Sequence, residues 1–304
     1  MTTAAPLTTT PVSKSETKKL SAAASAKNRL TSPWASLAAV VLAVLWTIPT
    51  FGLLISSFRP EMAIKRTGWW TFFSDPEVTL DNYRAVFDDR GINLADFFLN
   101  SLVITIPSVV IPLCLASLAA YAFAWMNFPG KNILFIAIFA LQIVPLQVTL
   151  VPLLQLYVKA GLNNTFWTLW LSHSTFALPL AIYLLHNFIK EVPSSLIEAA
   201  RIDGAGHVSI FFKVLLPLLT PALAAFGIFQ FLWVWNDLLV SLTFAGSPEI
   251  SPMTVQLSNL SGTRGTAWHL LSAGAFVSIV VPVTVFLLLQ RYFVRGLLAG
   301  SVKG

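Results

Sequence analysis

Six stretches of this sequence, about 34–57, 97–125, 133–158, 166–189, 215–244 and 270–292, are each apolar over a length that can cross a bilayer. A crossing needs roughly 20 apolar residues as a helix. Inside hydrocarbon every backbone N–H and C=O must pair within the protein, so stretches this long are helices; barrel strands are about half the length and alternate in polarity. The expected fold class is an all-α polytopic membrane protein with six transmembrane helices. Several of the stretches hold prolines, among them Pro49, Pro107, Pro112, Pro145, Pro152, Pro179, Pro221 and Pro282. A membrane helix tolerates proline where neighbours re-satisfy the freed carbonyls, so these positions are expected kinks.

Composition agrees. Of 304 residues 56% are hydrophobic and only 11% charged, with a mean hydropathy of +0.75; an ordinary soluble domain carries roughly 25% charge. The net charge of +6 is not gathered into a basic helix interleaved with aromatics, so nucleic acid is not an expected partner. The single cysteine, Cys114, can form no internal disulfide, and His173, His186, His207 and His269 show no metal-ligand spacing. No catalytic pair or nucleophile arrangement stands out, so an enzyme is not expected.

Residues 1–30 hold Lys14, Lys18, Lys19, Lys27 and Arg29 against one acid, Glu16, and read as a disordered basic tail; residues 31–304 read as one membrane domain. With the N-terminus inside, twelve Lys and Arg fall on inner segments and seven on outer ones, so both termini are expected in the cytoplasm. The outer loop from Phe58 to Asp96 carries mixed charge and the aromatics Trp69, Trp70, Phe72 and Phe73, suited to the membrane interface.

The inner loop 190–214, between the fourth and fifth stretches, is the most informative segment. Pro193 marks a break, and Ser195 followed by Glu198 fits a capping box that starts a helix. Ala199 and Ala200 favour that helix and keep its surface thin. Asp203-Gly204 is a turn signal that ends it. A second helix then runs through Phe211 and Phe212 toward the fifth span. The expectation is a short helix, a turn and another helix on the cytoplasmic face.

The full string is more specific than a capped loop. Glu198-Ala199-Ala200, three residues, Gly204, nine residues, Val214, then Leu216-Pro217 resembles the EAA loop of permeases of binding-protein-dependent ABC importers. The likeness extends along the chain. Thr79-Leu80-Asp81-Asn82-Tyr83, Asn100-Ser101-Leu102, Ala119-Ala120-Tyr121-Ala122-Phe123, Phe128-Pro129-Gly130-Lys131, Gly161-Leu162-Asn163-Asn164-Thr165, Trp235-Asn236-Asp237 and the closing 299–304 are similar to segments of the sugar-transporting, MalG-like branch.

The resemblance implies an inner-membrane permease, not an enzyme, that moves a sugar of di- or oligosaccharide size by alternating access. An importer for a polyamine or an amino acid remains the alternative, because the loop is shared. It implies that Glu198, Ala199, Ala200, Asp203 and Gly204 couple the permease to a separate dimer of cytoplasmic, MalK-like ATPases. This chain would then hold no cofactor, with ATP and Mg bound by the ATPase; the sequence has no G-x-x-x-x-G-K-[ST] loop. The other implied partners are a homologous MalF-like permease, an extracytoplasmic sugar-binding protein reached through the outer loop 245–268, and membrane lipid.

For the solute path the sequence offers Trp233, Asn236 and Asp237. Asp237 is the sole acid in an expected span, and ionisable groups there are functional candidates by default; the competing reading is a solvated group at the headgroup level. Asn236 suits sugar hydroxyls, and Trp233 and Trp235 suit the apolar face of a sugar ring. Most of the ten Trp are better explained as interfacial belts.

Overall fold

A computed structural model describes residues 33–88, 93–261 and 267–299. The basic tail, Arg90, Arg264 and residues 300–304 lie outside them. All regular structure among the described residues is helical. Helix α1 (Pro33–Ser57) belongs through Ile55 to one unit, and the chain from Ser56 onward forms a second. Helix α1 is apolar on every face, with Trp34 and Trp46 79% and 86% exposed, as suits a helix surrounded by lipid.

The second unit continues with α2 (Glu61–Arg66), a 3-10 turn (Trp69–Phe73) and α3 (Asp81–Val86). The long α4 (Leu94–Trp125) follows, then α5 (Lys131–Ala140), α6 (Leu146–Lys159), α7 (Phe166–Glu191) and the short α8 (Ser194–Ile202). Helix α9 runs His207–Trp235, with a π segment over Ile210–Leu215. The chain closes with α10 (Leu239–Phe244), α11 (Met253–Ser261) and α12 (Trp268–Ala299).

Helices α4 and α7 form the axis of this unit, and α9 packs against both and against α12. Their approach is set by small residues one turn apart. Ala116 and Ala120 on α4, and Ala177 and Ala181 on α7, are all buried in one apolar cluster. Small residues at this spacing let membrane helices come close enough for backbone packing.

Prolines supply the polar half of the packing. A proline at position i frees the carbonyl at i−4. Pro107 frees Val103, whose oxygen accepts from Trp170 Nε1 at 2.9 Å. Pro112 frees Ser108, whose oxygen accepts from Gln230 Nε2 at 3.3 Å. Pro282 frees Ser278, whose oxygen accepts from Trp235 Nε1 at 3.2 Å. In each case the donor comes from a different helix, so the carbonyls that the prolines free are paired by interhelical bonds.

Two expected spans take a different form. The helix expected over 133–158 is broken: 131–143 and 146–159 meet at 103°. Pro145 removes an N–H and holds Val144 extended (ψ 120°), which an α-helix cannot accommodate. The helix expected over 215–244 begins eight residues earlier, at His207, and stops at Trp235. Residues 236–238 are an irregular break before α10.

Two of the sequence strings are held by buried side-chain hydrogen bonds. Asn82 is buried, and its Nδ2 donates to the carbonyls of Ser57 at 3.0 Å and Arg59 at 2.8 Å. The Tyr83 hydroxyl donates to Ser57 Oγ at 2.8 Å. Asn100 Nδ2 donates to the carbonyls of Glu249 and Ser251, and Met253 N donates to Ser101 Oγ. Glu61 on α2 is held below the usual carboxylate range, first by the hydrogen bond from Lys65 and then by the nearby His269.

Candidate coupling loop and solute cavity

Helix α8 is only nine residues long, too short to hold itself together in water. Tertiary contact holds it. Ile197 is fully buried in the cluster built by Tyr121 and Phe123 of α4, Leu185 and Ile189 of α7, and Phe211 and Leu215 of α9. Ala200 is half-buried against the same cluster, whereas Glu198, Ala199 and Asp203 are exposed.

The start of α8 differs from the expected capping box. The helix begins at Ser194 with Pro193 at the N-cap, and no side chain caps it. Pro193 has φ −57°, already the helical value, and the helix starts two residues too early for Ser195 to serve as the cap. Its end is a Schellman turn. Gly204 has φ +82°, Gly204 N donates to the Arg201 carbonyl at 3.0 Å, and Ala205 N donates to the Ala200 carbonyl at 2.9 Å. No heavy atom lies within 4 Å of where a Gly204 Cβ would stand. Glycine is therefore required by the backbone and not by crowding within the chain.

Beyond the turn, His207 Nδ1 lies 2.8 Å from the Tyr121 hydroxyl, tying the start of α9 to the end of α4. The π segment follows directly, and such segments are often found at functional sites. Around the loop Ile202 is 87% exposed and Val208 72%, with Leu196 and Phe212 also exposed. The sequence reading named Phe212 only as part of the second helix and did not single out Leu196, Ile202 or Val208. The available signal was their position on a loop whose polar residues only partly cover a short helix.

The two broken helices meet a cavity of about 690 Å³. Its wall is the break itself, from Leu141 to Leu146, with Thr149 and Pro152 of α6, Thr175 and Pro179 of α7, and Trp233 of α9. It is mainly apolar, with Gln142, Thr149 and Thr175 as polar points. Of the three residues expected on a solute path, only Trp233 lines this cavity. Asn236 is exposed, and its Nδ2 donates back to the Leu232 carbonyl at 2.7 Å.

Asp237 lies in the break after α9 and not within a span. Its carboxylate accepts from Val240 N at 3.2 Å, from Ser241 N at 2.8 Å and from Ser241 Oγ at 3.0 Å. Its backbone carbonyl accepts from Thr254 Oγ1 at 2.6 Å. With its side chain 8% exposed, it is a buried cap of α10 and not a solvated headgroup-level acid. Trp235 is 2% exposed, donates to Ser278 and stacks on Phe231, so it is packing and not a sugar platform. No group of three metal-ligating side chains occurs among the described residues.

Apolar helices of spanning length, one of them broken at the wall of a cavity, and a short helix presented on a loop define a multi-pass membrane subunit. Residues 112–298 match the family described as the inner membrane component of binding-protein-dependent transport systems. The chain belongs to that family, whose members are transport components and not enzymes.

It is 53% identical over 91% of its length to the osmoprotective compounds uptake permease protein GgtD of Synechocystis sp. (strain ATCC 27184 / PCC 6803 / Kazusa), covering 95% of that protein. It is 49% identical over 83% of its length to the alpha-glucoside transport system permease protein AglG of Rhizobium meliloti (strain 1021), covering 67% of it. In fold it is similar to a chain from the crystal structure of a bacterial ABC transporter that imports the acidic polysaccharide alginate. The TM-score is 0.70 at 19% identity, over 94% of this chain and 100% of that one.

Proposed function

We propose that this chain is one permease subunit of an ATP-driven importer that carries α-glucosides of disaccharide size into the cell by alternating access. Residues 1–30 and the C-terminus lie in the cytoplasm, as the excess of Lys and Arg on those segments favours. The observation that carries the coupling role is the α8 loop. Ile197 anchors it from below, the Schellman turn at Gly204 fixes its end, and an apolar ridge with Ile202 faces outward.

Glu198, Ala199, Ala200, Asp203 and Gly204 form the presented surface. It docks on a MalK-like ATPase dimer, where ATP and Mg bind and are turned over. A MalF-like permease completes the membrane part, and an extracytoplasmic binding protein delivers the solute. The cavity beside Trp233 is this chain's share of the path, in keeping with transporters that place solutes where membrane helices are discontinuous. The α-glucoside class rests on the 49% identity to the Rhizobium protein. A second class, osmoprotective compounds, has the 53% identity to the Synechocystis protein in its favour.

The test is uptake into proteoliposomes holding this chain with its cognate ATPase, second permease and binding protein. Radiolabelled sucrose, trehalose and maltose are compared with glycine betaine and spermidine. ATP-dependent accumulation of an α-glucoside is expected. Accumulation of glycine betaine or spermidine alone overturns the sugar reading.

A further inference from the structure

His173 is fully buried in α7, and neither ring nitrogen has a hydrogen-bond partner. Buried polar side chains are otherwise nearly always paired, so an orphan of this size calls for a function. Two features of the transport site flank it. On one side its ring meets Trp233 edge-to-face, with centroids 5.7 Å apart and planes at 88°. Trp233 in turn forms part of the cavity wall. On the other side, Nε2 lies 3.7 Å from Asp237 Oδ2, several tenths of an ångström too far for a hydrogen bond.

Asp237 cannot readily come to meet it. Its carboxylate is held by the first turn of α10 and its carbonyl by Thr254. Closing the gap from 3.7 Å takes a displacement below about 1 Å between the break and α7. One side chain thus touches Trp233 of the cavity wall and stands just out of reach of the break that ends the same helix.

We propose that His173 is a positioning residue of the transport cycle, whose bond to Asp237 forms when the break at 236–238 closes and is open in the state seen here, so that it links that movement to the placement of Trp233 on the cavity wall. The proposal rests on the cavity being the solute path. His173 acts through Trp233 and Asp237 and is not assigned a contact with solute.

The experiment uses the complete importer in proteoliposomes, with Cys114→Ser removing the native thiol and Leu238→Cys placing a reporter in the break. Three variants are compared with this parent at matched permease levels: His173→Gln keeps an N–H donor, His173→Phe keeps the ring volume without one, and Trp233→Ala removes the platform. The readouts are KM and maximal rate for the best-transported of sucrose, trehalose and maltose, and maleimide labelling of the introduced thiol with and without vanadate-trapped nucleotide.

In the parent, labelling should change on trapping. His173→Phe should erase that change and raise KM about tenfold, the consequence of one lost hydrogen bond to a charged group. His173→Gln should stay within about threefold of the parent by the same conversion. Parent-like labelling and KM in His173→Phe overturn the proposal, and so does equal impairment in His173→Gln and His173→Phe, which would mean packing alone. The path reading fails separately, if Trp233→Ala leaves KM unchanged. A shifted KM in Trp233→Ala with a parent-like His173→Phe leaves the path standing and removes only the link.

Discussion

The proline-freed carbonyls give a test of the packing that needs no partner protein. In the native chain Pro112 has no N–H, so the Ser108 carbonyl takes its proton from Gln230, which is 1% exposed. Gln230→Leu leaves that carbonyl buried and unpaired, at a cost of about 1–3 kcal/mol by soluble-protein experience. Interhelical hydrogen bonds measured inside membranes average nearer about 0.6 kcal/mol and reach about 1.7, so about 1 kcal/mol is expected.

Pro112→Ala restores an N–H that reaches the same carbonyl within α4, which strands the Gln230 amide. Each single change therefore removes the bond and leaves a buried polar group on one side. In the double variant the carbonyl is paired inside α4 and no amide remains, so its loss should be less than the sum of the singles by about 1 kcal/mol. The assay is unfolding of the purified permease by SDS titration, with ΔΔG for both singles and the double. Additive losses, or a Gln230→Leu variant as stable as the parent, would show that Gln230 does not serve the proline-freed carbonyl and would refute the reasoning.

The coupling loop supports a contrast between two isoleucines. Ile197→Ala empties a fully buried site and should cost about 2–5 kcal/mol locally, loosening α8 and raising backbone hydrogen exchange over 194–203. Ile202→Ala, at a side chain 87% exposed, should leave exchange unchanged and weaken ATPase co-purification; normal ATPase capture with Ile202→Ala would remove the apolar ridge from the docking surface. Gly204→Ala should cost about 1 kcal/mol for its positive φ and retain most uptake, whereas Gly204→Asp adds charge at the docking face and should uncouple uptake at normal membrane levels. Asn82→Leu removes the Nδ2 donor to the Ser57 and Arg59 carbonyls and should lower the melting temperature of the detergent-purified chain; an unchanged melting temperature would show that the clamp is dispensable. Reporter fusions after Lys19 and within 59–88 should read inside and outside; an outside reading at Lys19 would invert the topology.

Apolar length alone determined that this chain is a bundle of membrane helices, because hydrocarbon leaves the backbone no other way to pair its polar groups over such runs. The Asp203-Gly204 pair likewise marked the end of α8, since a turn of positive φ is a local demand that glycine meets without a partner. What the sequence could not determine depended on groups distant in the chain. Pro145 and Pro112 look alike as letters. One breaks its helix by 103°, and the other is absorbed because Gln230, 122 residues from Ser108, supplies the missing bond. Asp237 read as a lone acid in a span, and Trp235 as a sugar platform. Only the folded chain placed α10 over the first and the Ser278 carbonyl beside the second. The reason is one of range: helix formation and capping are decided within a few residues, whereas the fate of a buried polar group is decided by whatever packing brings within about 3 Å of it.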